Sequence, residues 1–264
     1  MFDTPPSTTL EHFGFKFGRG GAHAARTLML PELRQLLDGL PKTATSTEYP
    51  AAIVASNLLD KPTLKARQLT YRHLRDLYQL DPSACLFRLF RRLWSLDTAS
   101  QPVLALSMAL TRDALLRASV PVILKAEPGA VVSRAQMEAR IEAWADQRFS
   151  QASLVAIAQR LNGSWTQAGY LQGKTVKTRV EPLITEINLA FCLFLAYLEG
   201  REAQRLLSSD WVRVLNLPED RSLALLQQAS RRGLLIFRHS GQVMEIRFPN
   251  QLTPQEEAWR HEQT

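Results

Sequence analysis

Apolar residues recur at helical spacing along nearly the whole chain, and strand-like alternation is confined to two short stretches. Helical periodicity begins near residue 24 and runs to about 38. After a loop at 40–50 it resumes as a short helix over 51–60, which ends at Lys61-Pro62. A longer helix is predicted over 63–80, with Thr63 as its N-cap, because a hydroxyl there can accept from the free N–H groups of the first turn. Further helices fill 83–126, interrupted by Pro102 and Pro121. Two more follow at 133–149 and 152–161, then a turn at Asn162-Gly163-Ser164 and a short helix over 165–171. The most apolar run, 187–198, reads as a buried core helix closed by Gly200. It is too short to cross a bilayer and contains Asn188. Helices at 202–207, 209–215 and 222–232, the last capped by Ser222 and closed by Gly233, lead into a hairpin with its turn at Ser240-Gly241. The first 22 residues read as an extended or loop-like arm, and the last fifteen, polar and net acidic, as a frayed tail. The fold class expected is mainly α, a helical bundle with helix-turn-helix or winged-helix units and a C-terminal β-hairpin. Provisional units are 1–82, 83–128 and 129–264, without true linkers, so the pieces should pack into one body.

Charge sharpens this picture. The 264 residues carry a net charge of +7, and the excess is segregated. Residues 61–92 hold eight Lys/Arg against two Asp, and 160–181 and 231–247 each hold four Lys/Arg against one Glu. These stretches total +12, which leaves −5 for the rest of the chain. Segregation of this kind is the electrostatic footprint of a nucleic-acid-binding protein, although a charge run can also be a solvated face.

Within 63–80, Lys65, Gln68, Arg72, Arg75 and Gln79 fall in a stripe of roughly 80° at 3.6 residues per turn. Leu64, Tyr71, Leu74, Leu77 and Tyr78 lie opposite. This is the pattern of a recognition helix, with one face in the core and the other presenting groups that reach phosphates and base edges. The short helix before Lys61-Pro62 supplies the helix-turn-helix context. An amphipathic surface helix with a basic face has the same pattern. Arg67 fits badly and must snorkel or pair.

The second basic stretch places Gly173 and KTVKTR after a helix. Lys174, Lys177 and Arg179 then lie on a short basic wing along a phosphate backbone, or simply in a charged loop. In the third, Arg231, Arg232, Arg238 and Arg247 surround the helix-plus-hairpin unit, a winged-helix arrangement that can serve DNA or protein contacts. Arg19, in the glycine-rich GRGGA segment, is a further candidate for phosphate.

No catalytic or cofactor motif is evident. GRGGA lacks the GxxxxGK[ST] of a P-loop, no GxSxG occurs, and the five histidines show no HExxH or other metal spacing. No cofactor, metal site or catalytic residue is therefore expected, and the expected reading is non-enzymatic. Cys85 and Cys192, 107 positions apart in apolar helices, suit buried thiols in a reducing cytoplasm. The opening MFDTPPSTTLEHF lacks a basic region followed by an apolar run, so no secretory leader is expected.

Several segments together resemble the BrxA family, small proteins of BREX bacteriophage-exclusion loci. They are the arm FKFGRGG, NLLDKPTLKARQLTYRHL, SWTQAGYLQGKTVKTR, and the C-terminal YLEG, LLSSDW, ASRRGLL and GQVMEIRFP. The resemblance implies a double-stranded DNA-binding accessory protein of a bacterial antiviral system, in which partner proteins perform the chemistry. Competing expectations are an interaction scaffold that recruits a BREX methylase or ATPase through an apolar surface around 234–237, an RNA-binding antitermination-like protein, and a regulator of its own locus.

Overall fold

A computed structural model describes residues 9–240 and 243–262. It is mainly helical, with two small antiparallel hairpins among the described residues. The amphipathic segments become α1 (Thr9–Phe13), α2 (Leu30–Gly39), α3 (Glu48–Pro50), α4 (Leu64–Tyr78), α5 (Cys85–Trp94), α6 (Gln101–Leu110) and α7 (Ala114–Lys125). A single 3-10 turn at Ala22–Ala24 precedes α2, and a π-helical turn at Ala51–Ala55 continues α3. Next come α8 (Arg134–Ala145) and α9 (Gln151–Gln167), which lead into the hairpin β1 (Leu171–Gln172) and β2 (Thr178–Arg179). The chain ends with α10 (Glu186–Leu198), α11 (Gln204–Leu207), α12 (Asp210–Arg213), α13 (Glu219–Arg231), the hairpin β3 (Ile236–Ser240) and β4 (Val243–Arg247), and α14 (Pro254–His261).

The run around α10 is apolar on every side because the helix sits at the centre, against α6, α12 and α13. Asn188, the polar residue in that run, belongs to a capping box. Its Oδ1 accepts from the Thr185 backbone at 3.0 Å, and its Nδ2 donates to the Ser100 carbonyl at 2.9 Å. One continuous apolar core runs from Leu10 to Phe248 across all three provisional units. Both cysteines are free and buried in it.

Several boundaries differ from expectation for identifiable reasons. The helical segment expected at 51–60 spans 48–55 instead. α9 passes straight through Asn162-Gly163-Ser164, so there is no turn and no separate helix at 165–171. Gly163 is tolerated because it packs against Thr27, where an added Cβ would lie 3.3 Å from Cγ2. Ser222 is not an N-cap. The helix starts three residues earlier, and the Ser222 hydroxyl donates back to the Pro218 carbonyl. The arm contains α1. The tail is not frayed but forms α14, with a Thr253–Glu256 capping box. Trp259 of α14 stacks on His12, ring centroids 4.8 Å apart, and Arg260 lies over the Tyr197 ring at 3.6 Å. Glu256 meets Arg88 at 2.6 Å. Leu64 is exposed, not on the core side, whereas Leu234 and Leu235 are buried, so the expected apolar surface at 234–237 is largely consumed. Gly241, half of the expected hairpin turn, lies outside the described residues. The pairing Ser240↔Val243 nevertheless keeps the hairpin in register.

The arm is held by a buried polar link. Asp113 caps α7 by accepting from Leu116 N at 3.0 Å. Its second oxygen accepts from His23 Nδ1 at 2.8 Å and His23 N at 3.1 Å. Burial pushes the Asp113 carboxyl up, but its interaction with His23 and the N–H bonds outweigh this and hold it below the ordinary carboxylate value of 3.8. The resulting stabilisation is full above that value and is lost as pH falls below it. Asp113→Ala strands His23 in the interior and uncaps α7, and is expected to cost about 3–5 kcal/mol in urea denaturation. Asp113→Asn keeps the cap acceptor and should cost clearly less. Equal losses would contradict this division of roles.

Candidate nucleic-acid interface

Helix α4 is built to present one polar face. Thr63 caps it, its Oγ1 accepting from Ala66 N at 3.1 Å, while Leu74, Leu77 and Tyr78 enter the core. Lys65, Gln68, Arg72 and Arg75 are all exposed on the other side, as the periodicity predicts. Among the described residues none of these three cations has a carboxylate partner; Arg75 lies 5.6 Å over the Tyr71 ring. Gln79, placed in the same stripe, instead follows the helix at positive φ, with its side chain against Gly14. The awkward Arg67 turns back to donate to the carbonyls of Lys61 and Val54, each at 3.4 Å. It therefore braces α4 against the π-turn.

What lies beside this face is not visible in the amino-acid pattern. The arm over 14–24 runs past a set of arginines that donate to its carbonyls. Arg112 reaches Gly14, Arg117 reaches Lys16 at 3.2 Å, Arg148 reaches Arg19 at 2.6 Å, and Arg160 reaches Ala24 at 2.5 Å. Burial lowers Arg112 and Arg117 to about 10, so both remain cationic at neutral pH. The arm leaves Arg19 and Arg26 exposed. The charges of Arg26 and Arg72 both act on buried His73, whose Nδ1 has no partner. Burial, then these two arginines, depress its pKa against the weaker pull of Asp76. The 3-10 turn of the arm packs against α4, so Arg26 lies near that helix. Its distance in sequence from 61–92 hides this.

The next residue, Thr27, packs on Gly163 of α9, which lines a groove beside the β1–β2 hairpin. Lys174 is exposed there. Lys177 is half-buried, its Nζ donating to the Gly173 carbonyl at 2.5 Å. Gly173 has φ of 95°, and a Cβ would strike the Val176 carbonyl at 2.1 Å, so the tight turn requires glycine. A short basic wing is present, but Arg179 is not on its outer surface. Arg179 pairs across the hairpin with Leu171, and cross-strand partners share a face. Because Leu171 is buried, Arg179 is too, at 1% exposure. It donates to the carbonyls of Ile123, Tyr170 and Val180 and lies 5.2 Å over the Tyr170 ring. Arg179 is a structural residue.

The C-terminal cations are differently placed. Arg231 is exposed, but Arg232 pairs with Glu186, and Arg238 and Arg247 both pair with Glu245. Three of the four already have carboxylates beside them.

One arrangement resembles catalytic machinery in outline. His23 lies between Asp113 and Ser164, with Nε2 2.8 Å from Ser164 Oγ. All three side chains are buried. Ser164 Oγ also accepts from Leu28 N at 2.8 Å and faces the Arg160 carbonyl at 2.9 Å within α9. Buried and bonded to both His23 and Leu28, this hydroxyl joins the arm to α9. Among the described residues no group of three His, Cys, Asp or Glu side chains could hold a metal ion. Among the described residues no helix is long and apolar enough to cross a membrane.

No family model matches the chain, and no curated protein matches it.

The two kinds of arginine separate experimentally. Arg179→Met removes the side-chain donor from the carbonyls of Ile123 and Val180 and one of two donors from that of Tyr170, and is expected to lower stability by about 2–4 kcal/mol in urea denaturation. Arg72→Met, on the exposed face, should stay within about 0.5 kcal/mol. A neutral Arg179→Met would contradict its structural role.

Proposed function

We propose that the protein grips duplex nucleic acid by its sugar-phosphate backbone, with little sequence selection. The contacts run from Lys65, Gln68, Arg72 and Arg75 through Arg26 to Lys174 and Lys177. One observation carries this reading. The cations of α4 are exposed and lack carboxylate partners among the described residues, whereas those of the C-terminal hairpin are largely ion-paired. Phosphate contacts position a protein on DNA without reading its sequence, and lysine and arginine are the donors suited to them. Arg231, Arg232 and Arg238 belong to a secondary surface in this reading, and Arg179 to none.

The resemblance to the BrxA family agrees with this activity. It makes the chain a non-enzymatic, cytoplasmic, DNA-binding component of a phage-defence system whose partners carry out the chemistry. Two buried free thiols suit such a compartment. The scaffold alternative loses the apolar surface it needs, since Leu234 and Leu235 face inward.

Binding should weaken steeply with salt, with a log–log slope of about −0.9 per phosphate neutralised, hence roughly −5 if all six cations make contact. Arg72→Glu with Arg75→Glu should lower affinity about a hundredfold or more, at unchanged thermal stability. A salt-titrated mobility shift on unrelated duplexes, single strands and RNA measures both effects. Salt-independent binding, or a double variant that binds like the parent, would overturn the proposal. Preference for RNA over duplex DNA would favour the antitermination-like reading instead.

A further inference from the structure

The groove beside the β1–β2 hairpin has features that backbone gripping does not require. It encloses about 580 Å³ between the start of α8, one side of α9 and the loop over 173–177. That is within the size range of small-ligand sites. Its cations are Arg134, Lys174 and Lys177, contributed by two separate segments. Arg134 also meets Glu138 through Nε at 2.6 Å, which leaves its terminal nitrogens available.

Two further polar features meet there. The groove borders the N-terminus of the twelve-residue helix α8. The Ser133–Gln136 capping box satisfies Gln136 N, while Arg134 N and Ala135 N have no acceptor within the helix. The helix end adds partial positive charge to the three cations. The second feature is Asn162, which lines the groove, is only 5% exposed, and has an Oδ1 with no hydrogen-bond partner. A buried amide oxygen left unpaired costs free energy, and a ligand N–H or O–H would satisfy it. Val131 and Val176 flank the opening at 56% and 60% exposure, unusual for β-branched apolar residues and suited to a flat ring.

We propose that this groove is a binding site for a nucleotide 5′-phosphate. The phosphate sits among Lys174, Lys177, Arg134 and the α8 N-terminus. A donor on the sugar or base reaches Asn162 Oδ1, and the base lies between Val131 and Val176. The ligand is a phosphate monoester that also carries hydrogen-bond donors and an aromatic face. Both a free mononucleotide and the phosphorylated end of a strand have that chemistry. The site shares Lys174 and Lys177 with the proposed duplex contacts but does not depend on the α4 face.

Isothermal titration of the full chain with 5′-AMP, adenosine and inorganic phosphate tests the proposal. AMP should bind, with phosphate and adenosine each about tenfold weaker or more, since each keeps one half of the recognition. Lys174→Glu with Lys177→Glu should weaken AMP at least about tenfold without changing thermal stability. Asn162→Leu should cost AMP about the same factor while leaving inorganic phosphate unchanged. Arg72→Glu with Arg75→Glu should leave AMP affinity intact, so failure here and failure of duplex binding are distinguishable. A 5′-phosphorylated duplex that competes with AMP at least about tenfold better than its dephosphorylated form identifies the strand end as the source. Equal competition by the two, through the shared lysines, or competition by neither, identifies the free nucleotide. No AMP binding at millimolar concentration would overturn the proposal, as would AMP and inorganic phosphate binding equally.

Discussion

The basic face depends on a contact with no surface exposure, the His23–Asp113 pair. A histidine and an aspartate 90 residues apart meet at 2.8 Å in the interior, and Ser164, a further 51 residues along, meets the other ring nitrogen at the same distance. This junction fixes the arm to the start of α7 and the last turn of α9 at one point. From there the arm leaves Arg26 exposed and sets Thr27 against Gly163. Burying polar groups this completely is tolerable only because almost every lone pair and hydrogen has a partner. Weakening the junction would therefore loosen the arm together with the core residues it carries, Phe13, Phe15 and Ala22.

The chain uses arginine in two ways that composition cannot separate. Arg91, Arg112, Arg160, Arg179 and Arg260 donate to backbone carbonyls from buried or half-buried positions, where a planar fork with several donors can satisfy otherwise unpaired groups. Arg26, Arg72 and Arg75 keep most of their donors in solvent. A net charge of +7 thus overstates the field in some places and understates it in others. Arg88 and Arg91 enlarge the 61–92 stretch on paper but are consumed by Glu256 and by the carbonyls of Leu37 and Leu40.

What the amino-acid pattern could reveal followed from local physics. The α4 face, its Thr63 cap, the central apolar helix and the C-terminal hairpin depend on periodicity and capping over a few residues, and all were legible. Where the reading failed, a tertiary contact overruled a local signal. Gly163 stays helical because Thr27 occupies the space its side chain would need. Arg179 points inward because its cross-strand partner is Leu171. The acidic tail is ordered because Trp259 and Arg260 find His12 and Tyr197 on elements far away in sequence. Arg26 and Arg148 escaped notice because no basic run contains them, and Arg160, counted in the 160–181 stretch, is joined to them only through the arm.

These two uses of arginine imply an order of assembly for the basic face. Carbonyl-bound arginines hold the arm whether or not an anion is present, so Arg26 is positioned before any ligand arrives and little ordering entropy remains to be lost on binding. The exposed side chains on α4 are the adaptable part, since their long stems can follow an irregular row of phosphates. A rigid frame with mobile cationic tips suits recognition of a repeating backbone more than of one fixed sequence. Base readout would instead call for side chains locked by neighbours in bidentate geometry, and no such neighbour holds Gln68, Arg72 or Lys65 among the described residues.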